Sequence, residues 1–176
     1  NRIEEIIKNS VSAVTDFTQT NSDTEFSIPS IPEKIPRYTY ADLVDKMKKS
    51  GVKIQWGDDL YPINLKKIGL TGFYFIIDWP LGPKPFYVKP NKSDPKISES
   101  FDLMYGDLEI SSGSTRIHSK SELETRMKNK GMKIDSFSYH LKVFDFGVPP
   151  HAGCGIGLER LMMALTGVEN IRDTTF

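Results

Sequence analysis

The sequence reads as a single α+β domain, and three observations carry that reading. Helix-spaced apolar residues open and close the chain, a hairpin signal lies near its middle, and an alternating glycine run leads into the last helix. At 176 residues the chain can hold one domain with a real core. Its 23 basic and 23 acidic residues cancel, so no overall basic field advertises nucleic acid. The single cysteine, Cys154, excludes an internal disulfide and fits a reducing compartment. No apolar run approaches about 18 residues, so no membrane span is expected, and the N-terminus lacks the pattern of a signal peptide. A chain that opens on Asn1 and stops on Phe176 is expected to be a piece of something longer.

Ile3, Ile6, Ile7, Val11 and Val14 recur at helical spacing and predict an amphipathic helix over 2–15. A polar run, 18–23, and a connector over 28–36 follow; Pro29, Pro32 and Pro36 keep the connector irregular and extended. Thr39, with Asp42 three residues on, caps a helix that Gly51 ends. Leu43, Val44 and Met47 form its buried stripe. Lys46, Lys48 and Lys49 read as a solvated face before they read as contacts to RNA phosphates. Pro62 starts a short helix that ends by Gly69. The aromatic and β-branched run 73–77 predicts a strand buried on both faces, and 85–88 a second strand, with 89–98 as an exposed loop. Later helices are expected over 119–131, capped by Ser119 or Ser121, and over 135–145 with Phe137, Leu141 and Phe144 inside. His140 on the second of these reads as packing.

The hairpin signal is Gly106-Asp107, a pair suited to a two-residue turn between strand-like runs. Such a turn sets Tyr105 opposite Leu108, Met104 opposite Glu109, and Asp102 opposite Ser111. Side chains alternate, so Asp102, Met104, Glu109 and Ser111 share one face while Phe101, Leu103, Leu108 and Ile110 share the other. Asp102 and Glu109 are then diagonal neighbours, within roughly 8 Å backbone to backbone, able to converge on one hard cation. Two carboxylates with oxygen chemistry suit Mg²⁺ bound beside substrate phosphates; a solvated surface is the plainer alternative. Ser112 has the wrong parity for this face and joins it only if Gly113 kinks or bulges the strand. Arg116, beside a glycine turn, offers a fork for a substrate carboxylate, against the plainer reading of a surface ion pair.

Gly153, Gly155 and Gly157 alternate along a strand that runs directly into Leu158-Glu159-Arg160 and the helix face Leu161, Met162, Leu165, Val168. Glycine at every second position bares one side of the ribbon, so a flat ligand can lie on backbone, or two elements can pack tightly. Arg160, in the first turn, can reach back over that surface and roof a purine. The spacing is neither Gly-x-Gly-x-x-Gly nor a Walker loop. His151 is a neighbour of this ribbon rather than a base, and Cys154 has no companion at metal-ligand spacing.

Gly153-Cys154-Gly155-Ile156-Gly157-Leu158-Glu159-Arg160 resembles motif 3 of the class II aminoacyl-tRNA synthetases, and Val148 to Gly153 with Gly167 to Asp173 resembles the aspartyl and asparaginyl members. Leu108 to His118 is similar to the archaeal and eukaryotic aspartyl enzymes; Ser112, Ile117 and His118 favour these over the asparaginyl pattern, while Thr115 departs from their usual glutamine. The resemblance implies a mostly antiparallel sheet flanked by helices on one side, in a cytoplasmic homodimer. It implies ATP-dependent activation of L-aspartate and transfer to tRNA, with Arg160, Gly157, Leu158, Glu159 and Glu109 on ATP. Asp102, Glu109 and Ser112 would surround Mg²⁺, and Ser112 and Arg116 would meet aspartate. It further implies that residues 1–176 are the C-terminal part of a catalytic domain, with motif 3 at 153–160. Motifs 1 and 2 and the anticodon-binding barrel find no match, so the chain alone is not expected to charge tRNA. An asparaginyl-tRNA synthetase, a paralogue that makes asparagine and a non-catalytic binding module are the rival readings.

Overall fold

The structure is a computed structural model describing residues 2–21 and 26–175; Ser22 and Asp23 of the polar run lie outside them. Among the described residues five strands form one sheet in the order β1 (Arg37–Thr39), β2 (Phe73–Ile77), β3 (Ser100–Tyr105), β4 (Leu108–Thr115) and β5 (Ala152–Ile156). Only β1 and β2 are parallel; the other pairings are antiparallel. Helices are α1 (Arg2–Thr20), α2 (Tyr40–Lys49), α3 (Pro62–Lys67), α4 (Lys120–Asn129), α5 (Ser138–Lys142) and α6 (Leu158–Thr166).

The uniformly apolar β2 dictates cover on both sides. Its Tyr74 and Ile76 pack with Met104 and with Tyr40, Leu43 and Met47 of α2. Its Phe73 and Phe75 pack with Leu103, Ile7 of α1, and Leu161 and Leu165 of α6. Helices therefore lie on both faces rather than one. Because α2 and α3 cover only the end of their face that carries β1 and β2, the β4–β5 end of that face lies open.

Several elements differ from the sequence reading for identifiable reasons. Helix α1 continues to Thr20 because the hydroxyls of Thr15, Thr18 and Thr20 donate to carbonyls four residues back, so polar positions do not break it. Strand β1 was not anticipated; Phe75 donates its N–H to Pro36 at 2.8 Å, which draws the end of the connector alongside β2. Buried Glu4 fixes that connector by accepting from the Ile35 N–H at 2.9 Å and from Arg37 at 3.3 Å. Residues 85–88 form a turn closed by Val88 N–H to Pro85 O rather than a strand, since Pro85 has no N–H to give a ladder; only a single bridge, Val88 to Arg116, remains. The helix expected over 135–145 is broken into 3₁₀ turns, Ile134–Phe137 and Val143–Phe146, around the short α5. These elements nonetheless bury Leu141 and pack Phe137 and Phe144 against Ile117, Leu123 and Met127.

Candidate active site

The turn at Gly106 pairs Tyr105 with Leu108 and Met104 with Glu109, as its length requires, and then the register slips. Leu103 pairs with Ser111 and Asp102 with Ser112, leaving Ile110 as an extra residue in β4. Asp102 therefore faces Ser112, not Ser111. The bulge that brings Ser112 onto the carboxylate face is at Ile110 rather than at Gly113: Ile110 is buried against α1 and α6, Ser111 is buried beside it, and Ser112 turns outward with Asp102.

That face holds a cavity of about 210 Å³ lined by Lys84, Tyr87, Asp102, Glu109, Ser112 and Arg116 among others. Asp102 is 6 % exposed, and its carboxyl is pushed up to about 6. Burial is the main cause, the Glu109 charge adds to it, and Lys84 opposes both. Lys84 holds its Nζ 3.6 Å from Asp102 Oδ2 and 4.2 Å from the centre of the Trp79 ring. Sequence reasoning passed over Lys84, which lies between the strands expected at 73–77 and 85–88. The signal was there in Pro83-Lys84-Pro85, where flanking prolines restrict the backbone and so aim the side chain.

Arg116 lies over the Tyr87 ring, 4.4 Å from its centre, and donates from Nη2 to the Gly153 carbonyl at 3.2 Å. Among the described residues no carboxylate pairs with it. A Cβ at Gly153 would sit 3.1 Å from that guanidinium nitrogen, so this glycine makes room for Arg116 rather than for a ligand. Gly155 is the position that is bare, with nothing within 4 Å of where its Cβ would be. Gly113 is packed from behind, where a Cβ would come 2.7 Å from both Cys154 and Phe101.

Arg160 leaves the first turn of α6 over Gly157 and donates from Nη1 to the Glu109 carbonyl at 3.0 Å. Leu158 and Glu159 are exposed, and neither they nor Gly157 and Arg160 line the cavity. Thus one guanidinium stands at the Gly153 end of the glycine ribbon and another at the Gly157 end; the two ends of the ribbon are about 13 Å apart along the strand. Asp102 and Ser112 lie on the neighbouring strands between them, and Glu109 lies at the Arg160 end. His151 donates from Nδ1 to the Pro149 carbonyl at 2.9 Å and faces a neighbouring cavity, not this one.

Two carboxylates and a hydroxyl are hard oxygen donors, and among the described residues no set of three His, Cys, Asp or Glu groups gathers. That donor set fits a cation sharing its coordination with phosphate oxygens and water, and does not fit an all-protein cage. Beneath the same cavity, Ser98 donates to the Trp79 carbonyl at 3.0 Å and so accepts from Ser100 at 2.7 Å, whereas the buried Ser114 hydroxyl has no hydrogen-bond partner among the described residues.

A mostly antiparallel sheet whose glycine strand feeds a Glu-Arg helix beside an acidic hairpin is the architecture of a class II synthetase catalytic domain. The match to the family model "tRNA synthetases class II (D, K and N)" covers residues 1–176, and the chain belongs to that family. It is 48% identical over 151 residues to the aspartate–tRNA(Asp/Asn) ligase of Methanocaldococcus jannaschii, covering 85% of this chain and 34% of that protein. It also resembles the solved aspartyl-tRNA synthetase of Entamoeba histolytica, with 36% identity, a TM-score of 0.78, and coverage of 84% of this chain and 32% of that one. The asparaginyl-tRNA synthetase of the same organism, solved with asparaginyl-adenylate, gives 28% identity and a TM-score of 0.82 over 99% of this chain and 42% of that one. The chain thus spans between about a third and two fifths of the length of the curated relatives it matches. No helix among the described residues is long and apolar enough to cross a membrane.

Proposed function

We propose that this chain supplies the amino-acid half and part of the nucleotide half of an aspartate-activating site. Arg116 takes the side-chain carboxylate of L-aspartate, with Lys84 as a second cation nearby and Ser112 at its flank. Arg160 roofs the purine of ATP over Gly155, and Gly157, Leu158, Glu159 and Glu109 border the nucleotide. Asp102, Glu109 and Ser112 hold Mg²⁺, which when bound neutralises triphosphate charge. The α-carboxylate of aspartate attacks the α-phosphate of ATP, pyrophosphate leaves, and the aspartyl group passes to the 3′ end of a tRNA. The chain's own residues contribute position and charge rather than a nucleophile. A homodimer working in the cytoplasm, completed by protein outside residues 1–176, fits the same reading.

The observation that carries this is the unpaired Arg116: a half-buried guanidinium, held by a ring and a carbonyl and without a carboxylate among the described residues, is set for an anion. A neutral asparagine side chain would leave that charge uncompensated, although the likeness to an asparaginyl enzyme makes asparagine the competing substrate. ATP–pyrophosphate exchange by the protein that carries this chain tests the choice. Exchange that depends on aspartate supports the reading; exchange with asparagine alone, or with neither, contradicts it.

A further inference from the structure

Arg116 and Tyr87 also line a second cavity, which shares no other lining residue with the first. It measures about 500 Å³, and its walls include Phe86, Phe137, His140 and Phe144. Its floor is Ile117 and Leu123, both essentially inaccessible. The wall rings meet edge to face: Phe86 and Phe137 at 63° and 5.3 Å, His140 and Phe144 at 66° and 5.7 Å, Phe86 and His140 at 90° and 6.4 Å. Rings locked to one another in this way hold a preformed slot for another flat ring, in the size range of small-molecule sites.

The charge of the walls selects the ligand. The ionisable side chains lining this cavity, apart from the Tyr87 phenol, are Arg116, His140 and His151, and no carboxylate is among them. We propose that this cavity is a second binding site, for a planar aromatic anion, whose negative group takes the Arg116 guanidinium from behind. One guanidinium cannot give its charge in full to two anions. Occupancy here therefore weakens aspartate binding without filling the aspartate cavity. The site stands on the walls alone; the competition rests on the function proposed above.

The probe is 2-naphthoate, titrated into the protein that carries this chain and followed by saturation-transfer NMR and by the Arg116 Nε–H resonance. Binding at about a millimolar or tighter is expected for a ligand of this size, with a shift of that resonance. The neutral 2-naphthalenemethanol should bind at least about tenfold more weakly, since it cannot form the charged hydrogen bond. His140→Glu alters an exposed wall residue and sets a carboxylate against the anion. It should weaken naphthoate about tenfold, and more than His140→Ala, which removes the same ring without adding a charge. In the exchange assay naphthoate should raise the KM for aspartate and leave that for ATP unchanged. Equal binding of the acid and the alcohol, no effect of His140→Glu, or a silent Arg116 resonance would overturn the site. Binding with an unmoved aspartate KM would overturn the competition. An absence of exchange together with full naphthoate binding would condemn the proposed reaction and leave the site supported.

Discussion

Replacing Asp102 by asparagine should make the folded chain more stable at neutral pH, although it removes half of an ion pair. Burial raises this carboxyl from 3.8 to about 6 even with Lys84 at 3.6 Å, so the ionised form is the costly one in the folded state. At about 1.4 kcal/mol per pH unit, the displacement corresponds to about 3 kcal/mol. The direction follows from where the proton goes. Below about pH 4 the group is protonated in both folded and unfolded chains and contributes no difference. Between there and about pH 6 the folded chain keeps a proton that the unfolded chain loses, so stability falls as pH rises across that window and levels off above about 6. Asparagine imitates the neutral form at every pH. Urea unfolding of wild type and Asp102→Asn at pH 4, 5, 6 and 7.5 should therefore coincide at the lowest pH and diverge upward. The variant should lead by about 3 kcal/mol, or about 6–12 °C in melting temperature, at pH 7.5. Parallel profiles, or a variant weaker than wild type at pH 7.5, would refute the claim that burial dominates over Lys84.

Three other substitutions have definite outcomes. Ser114→Ala should raise stability by about 1 kcal/mol in urea unfolding, because it deletes a buried hydroxyl without a protein partner; a loss of that size would mean that the hydroxyl is satisfied. Gly113→Ala should cost about 2 kcal/mol or more, since the new methyl would meet Cys154 and Phe101 at 2.7 Å and the Gly153 carbonyl at 2.8 Å. Gly155→Ala meets nothing within 4 Å and should leave the melting temperature within a few degrees of wild type. Nucleotide affinity should nonetheless fall about tenfold by calorimetric titration, because the methyl occupies the surface on which the purine is to lie.

Local signals survived folding and longer-range ones did not. Thr39 and Asp42 form the capping box that their spacing announces, and Gly106 at φ 57° makes the turn that sets Met104 opposite Glu109. The glycine run does become a strand feeding α6. The slip at Ile110 was not legible, because Glu-Ile-Ser-Ser keeps an acceptable alternation whether or not one residue is doubled. Only packing against α1 and α6 decides that Ile110 and Ser111 are both buried. Similarly, nothing local distinguishes Gly153, which yields space to Arg116, from Gly155, which leaves space open; the difference is made by a side chain 37 residues away. Lys84 reaches Asp102 by the same kind of distant approach. Its proline neighbours fix only its backbone.

The division of labour along the glycine ribbon is tested most directly by the separate KM values for aspartate and ATP in pyrophosphate exchange by Arg116→Ala. With the guanidinium gone from the Gly153 end, the aspartate KM should rise about 10–100-fold while the ATP KM stays within about twofold. An unchanged aspartate KM, or an equal rise in both, would contradict the assignment of this end of the cavity to the amino acid.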